Sequence, residues 1–444
     1  MRARRVFDRS FTGLSLISVV LVGGALGVLL VPIVRRGLGA FVFRATVEHR
    51  RMLWEQFGRG DAEELKRELA EVEQARAPLY GMLAEFEEWL EGRPYGERRR
   101  YAAALAEFKQ ALRKLLGPLP GEPRPVLPRE RYGQTRWDRA REALHAVLYV
   151  ERYDYSDPTQ MGRLSYVPRA EEFRATPLAP AFACLESNAA RMLQPRWTIY
   201  WRFLFDRPVD AYVFGGIWPA VLGTLYLTIG AVLFAVPMGV ISAIYLVEYA
   251  GDNWLVGLLR TCISTLAGVP SIVFGLFGLA FFVNTLGIPK SVLAGSLTLG
   301  VLILPVVIRA AEEALRAVPS TYKEAALSLG SSKWSAIVRV ILPAALPGIL
   351  TGVVISMGRA AGETAPIIFT AAVSAGPALH LWQTFGQPTP ALPWGVYNLC
   401  TEHEAVDEIR HVQYGMVLTL VALVLLLNGA AIIMRARIAR RLAG

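Results

Sequence analysis

Ala211-Tyr-Val-Phe-Gly-Gly-Ile-Trp-Pro-Ala220-Val-Leu-Gly-Thr-Leu-Tyr-Leu-Thr-Ile-Gly230-Ala-Val-Leu-Phe-Ala-Val-Pro-Met-Gly-Val240-Ile-Ser-Ala-Ile-Tyr-Leu-Val247 carries no charged side chain from end to end. A helix crossing about 30 Å of hydrocarbon needs about 20 apolar residues, because every backbone N–H and C=O must be bonded inside the segment. This stretch meets that demand, and so do residues 11–34, 261–289, 291–308 and 412–434, all uncharged. A sixth run, 344–373, is interrupted only by Arg359 and Glu363. The sequence therefore predicts an all-α polytopic membrane protein with six transmembrane helices.

Composition agrees. Of 444 residues 53% are apolar, and the mean hydropathy is +0.36, values that few water-soluble domains reach. The net charge of +10 does not point to nucleic acid, because Lys and Arg gather at the ends of the apolar runs. Arg2, Arg4, Arg5 and Arg9 precede the first run, and Arg435, Arg437, Arg440 and Arg441 follow the last. Arg309, Arg316, Lys323, Lys333 and Arg339 lie between the fourth and fifth, whereas 374–411 holds only Arg410 against four acidic residues. The positive-inside rule places both termini and the fourth connection in the cytoplasm. The first run is too long for a cleaved signal peptide and lacks an A-x-A site, so it is expected to stay as helix 1.

Residues 35–210 change character and hold no run long enough to span, which makes them an extracytoplasmic insert between helices 1 and 2. Leu65, Leu69, Val72, Leu79, Leu83, Phe86 and Leu90 recur at three and four residues, as do Tyr101, Leu105, Phe108, Leu112 and Leu115. With Gly92-Arg93-Pro94 between them they predict a helical hairpin over about 61–116, sealed along one seam, bent at Pro78 and ended by Gly117-Pro118. Residues 121–208, rich in proline, predict irregular packing. Cys184 and Cys400 fall on the same outer side and could bridge in an oxidising compartment; the three cysteines show no metal-ligand spacing.

Between the fourth and fifth runs stands Pro319-Ser-Thr-Tyr-Lys-Glu-Ala-Ala-Leu-Ser-Leu-Gly330-Ser-Ser-Lys-Trp-Ser-Ala-Ile-Val-Arg-Val-Ile-Leu-Pro343. Thr321 with Glu324 predicts a capping box, Gly330 a left-handed stop, and a second short helix runs from about Lys333 until Pro343 ends it. The product is a stiff elbow: Ala325 and Ala326 let a partner approach closely, and Glu324 offers a charge to a basic residue opposite. This block resembles the EAA loop of bacterial ABC-importer permeases, with Glu324-Ala325-Ala326, Gly330 and Ile341-Leu342-Pro343 in the motif's places. The resemblance implies that 319–343 couples to a separate ATPase, within a permease core at 211–444 that follows helix 1 at 1–34. It also implies a second homologous permease, two ATP-binding subunits and an external binding protein as partners. The chain has no G-x-x-x-x-G-K-[ST], so ATP and Mg are expected on the partner and no cofactor here.

Within that family, 216–220, 243–246, 268–278 and 359–366 resemble the phosphate permeases of the PstA type, and the large insert departs from their compact form. The resemblance implies inorganic phosphate as solute, moved by alternating access. A charge near the bilayer centre costs about 2.5 kcal/mol or more, so Arg359 and Glu363 either line a polar path or pair internally at i and i+4. In the first reading Arg359 attracts the anion while Glu363 steadies the guanidinium and keeps binding weak enough for release. Ser271 and Thr364 join the pathway residues, against the alternative that their hydroxyls bond their own backbone. Pro270 and Pro366 predict kinks inside spans. Arg309 is expected to snorkel to the interface. His380, His403 and His411 read as outer-loop surface. A permease for sulfate, molybdate or phosphonate, or a non-transporting sensor, are the rival readings; no nucleophile, carboxylate dyad or metal cluster supports an enzyme.

Overall fold

The computed structural model describes residues 2–123, 125–154, 162–251, 253–404 and 406–443. The chain forms two compact units, one built from Met1–Ala40 with Trp201–Gly444 and the other from Phe41–Tyr200. The split lies inside the predicted 35–210 because α1 (Arg2–Leu38) runs past its apolar stretch and because Phe203 packs within the membrane unit, against Gly415.

In the smaller unit, β1 (Val42–Ala45) leads into α2 (Val47–Phe57), α3 (Ala62–Glu91) and α4 (Tyr95–Leu116). Asp61 caps α3 by accepting from the amides of Glu63 and Glu64 at 2.9 and 3.3 Å. The predicted hairpin forms, with Pro78 inside α3. Its core is not a private two-helix seam. Phe173 and Phe182 enter it, with ring centroids 5.5 Å from Phe86 and 5.2 Å from Phe108. These rings come from the region expected to be irregular, which instead builds α5 (Trp137–Leu148), the ribbon of β2 (Tyr149–Asp154) and β3 (Arg163–Pro168), α6 (Ala179–Leu193) and β4 (Arg196–Ile199). Strand β4 pairs antiparallel with β1, Val42 opposite Ile199. The fold is thus mainly helical, as expected, with small two-stranded sheets added. The buried Arg76 ties the layers together: it donates to the Met192 and Leu116 carbonyls at 3.0 and 3.1 Å and to Glu48 at 3.1 Å. A buried charge is tolerable only when its donors are met in this way.

In the larger unit, α7 (Trp218–Ile244), α10 (Val292–Arg316) and α13 (Leu342–Gly362) pack as the centre of a bundle flanked by α16 (Arg410–Ala443). Among the described residues, five helices are long and apolar enough to cross a membrane, or six if one bent pair counts as a span. That pair turns the kink expected at Pro270 into a full break: α8 (Trp254–Leu266) and the segment that opens with α9 (Ser271–Gly278) meet at 103°. Pro270 sits just before α9 rather than in a gentle kink, and its missing N–H removes the bond that would have carried the helix through. The run 344–373 also breaks. α13 stops at Gly362, and α14 is only Ala365–Thr370, with Pro366 in its first turn. Glycine lets the helices close up: a methyl group at Gly352 would lie 2.1 Å from the Ala310 Cβ, and one at Gly239 2.7 Å from Val307. α1 leans on α16 near its end, where Arg36 donates to the Tyr414 hydroxyl at 2.5 Å; its central apolar surface stays exposed. Cys184, Cys262 and Cys400 are free thiols, Cys184 in the smaller unit and the other two in the larger.

Candidate functional site: the elbow and the broken helices

The elbow begins with α11 (Ser320–Ser328), ends in Gly330 at φ 79°, and restarts with α12 (Lys333–Ala336), capped by Ser332 accepting from the Ser335 amide. The left-handed Gly330 matches the expectation, but two others fail. The capping box is absent, because Pro319 with its fixed φ already opens the helix and leaves Thr321 inside the first turn. Pro343 ends nothing: α12 continues through a π turn at Ile337–Ile341 into α13, and the wider π turn absorbs the missing donor. The elbow is therefore the head of the α13 span, not a separate pair of short helices.

Glu324 and Ala325 are exposed, as docking requires, whereas Ala326 is buried and serves the inner packing. Around them Tyr322, Leu329 and Trp334 are also exposed, a concentration of apolar surface that rarely stands free in water. Underneath, Ile337 and Ile341 pack with Ala243, Ile244, Ala311 and Leu315. Glu248, just beyond α7, holds the elbow from two sides. Its carboxylate meets the Lys323 ammonium at 2.5 Å, and its carbonyl accepts from Lys333, which also lies 4.5 Å over the Tyr249 ring. Nearby, the buried Glu312 receives Arg260 at 3.1 Å and Arg316 at 2.9 Å. Glu248, Arg260 and Glu312 are not among the expected site residues; Glu248 and Arg260 directly flank uncharged runs, and Glu312 lies one turn past another.

The other end of α13 lies about 30 Å away along one helix, at a rise of 1.5 Å per residue. There Arg359 and Glu363 make the i, i+4 pair, Nε to Oε1 3.3 Å, with the arginine side chain 38% exposed. Glu363 has left the helix, its ψ at 129°. Thr364 precedes α14 and Ser271 opens α9. The two short helices pack backbone to backbone: a methyl at Gly275 would stand 2.9 Å from the Ala365 carbonyl oxygen and 3.1 Å from the Pro366 Cα. The structure thus brings Ser271 and Thr364 to the heads of one packed pair, with Arg359 and Glu363 leading into it. The internal pair and an exposed guanidinium coexist. Arg309 bonds the Ser264 hydroxyl, and His403 contacts the Ala211 carbonyl at 2.8 Å.

A bundle of apolar helices, two of them broken, with an exposed elbow at the head of one span is the architecture of a membrane transport component. The chain belongs to the family of binding-protein-dependent transport system inner membrane components, whose profile matches residues 235–444. It is similar to the phosphate transport system permease protein PstA 1 of Mycobacterium tuberculosis, 40% identical over 51% of this chain and 73% of that protein. It is also similar to a probable ABC transporter permease protein of Bacillus subtilis, 39% identical over 40% of this chain and 60% of that one. An inward-facing methionine ABC transporter superposes on 49% of this chain and 94% of its own at 20% identity, with a TM-score of 0.40. The profile match begins at residue 235, inside α7.

Proposed function

We propose that this chain is the transmembrane permease subunit of an ATP-driven importer of inorganic phosphate. The observation that carries the reading is the 40% identity to a permease named for phosphate transport, across nearly three quarters of that protein. The termini and the elbow face the cytoplasm, and 41–200 lies outside. Glu324, Ala325 and the apolar surface around them dock into one of two ATP-binding subunits, with a homologous permease alongside and a phosphate-binding protein delivering from without. The nucleotide and its Mg sit on the ATPase: Gly330-Ser-Ser-Lys offers no cradle, since the Ser332 hydroxyl caps α12 and Lys333 is engaged by Glu248 and Tyr249.

The geometry supports a lever. Closure of the ATPase pushes the elbow, the elbow is continuous with α13, and α13 moves Arg359 and Glu363 beside the packed heads of α9 and α14. Arg359 attracts the phosphate oxygens, Glu363 steadies it, and Ser271 and Thr364 border the route. In proteoliposomes or cells carrying the complete complex, Arg359→Gln is expected to abolish labelled phosphate uptake while all subunits still co-purify. Normal uptake by that variant overturns the pathway assignment. Competition by sulfate, molybdate or phosphonate at comparable concentration would move the assignment to another oxyanion.

A further inference from the structure

The ribbon of β1 and β4 has two unlike faces. Phe43 and Ala45 point inward and are buried. On the other face the paired residues Val42 and Ile199, and Arg44 and Trp197, are all exposed, Trp197 at 75% and Ile199 at 72%. A Trp, two aliphatics and an arginine on one flat surface are costly in water and suited to the boundary between headgroups and acyl chains, where Trp and Arg concentrate.

Chain continuity ties this face to that boundary. Val42 lies four residues past Leu38, where α1 ends, so it stands within about 14 Å of a helix end. On the other strand, Ile199 is two residues from Trp201, within about 7 Å. Trp201 is 6.1 Å from Phe205, which is 5.4 Å from Trp218, the first residue of α7. The headgroup layer is itself about 5–8 Å deep on each side. We infer that the Val42–Arg44 and Trp197–Ile199 face is a lipid-interface seat, with its apolar side chains in the outer leaflet and Arg44 at the phosphates of anionic lipid. The inference rests on α1 and α7 being spans, as the proposed function requires.

The test uses the full complex in nanodiscs of phosphatidylethanolamine and phosphatidylglycerol, with Cys184, Cys262 and Cys400 replaced by serine and uptake retained. Spin labels at Ile199→Cys and Trp197→Cys are compared with Tyr95→Cys on the α3–α4 turn and with Leu426→Cys on the exposed side of α16. Collision with oxygen relative to a water-soluble nickel chelate is expected to be several-fold higher at 197 and 199 than at 95. Aqueous values at 197 and 199, or shielding from both reagents as under a protein partner, overturn the inference when 426 reads as lipid-exposed. An aqueous reading at 426 as well places the failure in the spanning assignment instead.

Discussion

His49 is fully enclosed between Phe43 and Tyr200, whose rings meet it edge-on at 5.2 and 5.8 Å. Burial, and then the charges of Arg136 and Arg50, lower its pKa from 6.5 to about 3. The unfolded chain takes up this proton near 6.5 while the folded chain refuses it until about 3. Its contribution is therefore complete above the higher value and declines on acidification toward the lower one, by about 1.4 kcal/mol per pH unit. Thermal unfolding of the full chain followed between those values is expected to show His49→Phe losing less stability on acidification than the parent. At Gly352 the issue is space. Gly352→Val forces α13 away from Ala310, and overpacking of this kind costs about 1–3 kcal/mol, read as a lower yield of folded protein in detergent. Among the candidate residues, Arg359 and Glu363 stand out in the sequence because a charge inside an apolar run is conspicuous. Ala326 does not: its size suits docking and packing equally, and only burial separates the two.

At the scale of elements, the elbow and the span behind it are one body, and Glu248 is what fixes their angle to α7. Glu248→Gln removes the charge that holds Lys323, and a hydrogen bond to a charged group contributes about 1.5–3 kcal/mol. Phosphate uptake is expected to fall roughly tenfold or more while the complex still assembles; assembly is checked by co-purification and transport by initial rate. The apolar runs located the spans because hydropathy counts side chains. They could not show how sharply the runs 261–289 and 344–373 break at the kinks that Pro270 and Pro366 predict, since direction depends on backbone bonds that no apolar count records. Pro343 misled in the opposite sense, for the π turn at Ile337–Ile341 lets the helix pass it. In the smaller unit the periodicity found α3 and α4 but not their partners, because Phe173 and Phe182 sit far along the chain and become core only when folded.

For the whole molecule, the smaller unit opens and closes at one place. The Tyr200 amide donates to the Phe41 carbonyl at 2.6 Å, next to the Val42–Ile199 pair. Replacing residues 41–200 by a short flexible linker is therefore expected to leave a permease that inserts, co-purifies with its ATPase and takes up phosphate at a rate within a few-fold of the parent. Loss of uptake with intact assembly would give the domain a part in transport. The sequence announced this domain by its composition but not where its ends lie, since only strand pairing shows that residues so distant along the chain are neighbours.

That pairing has a mechanical meaning. Entry and exit strands are zipped side by side, Val42 opposite Ile199 and Ala45 opposite Arg196, so the two ends of residues 41–200 are held as one ribbon. Whatever grips residues 41–200 therefore loads both strands at once instead of either one alone.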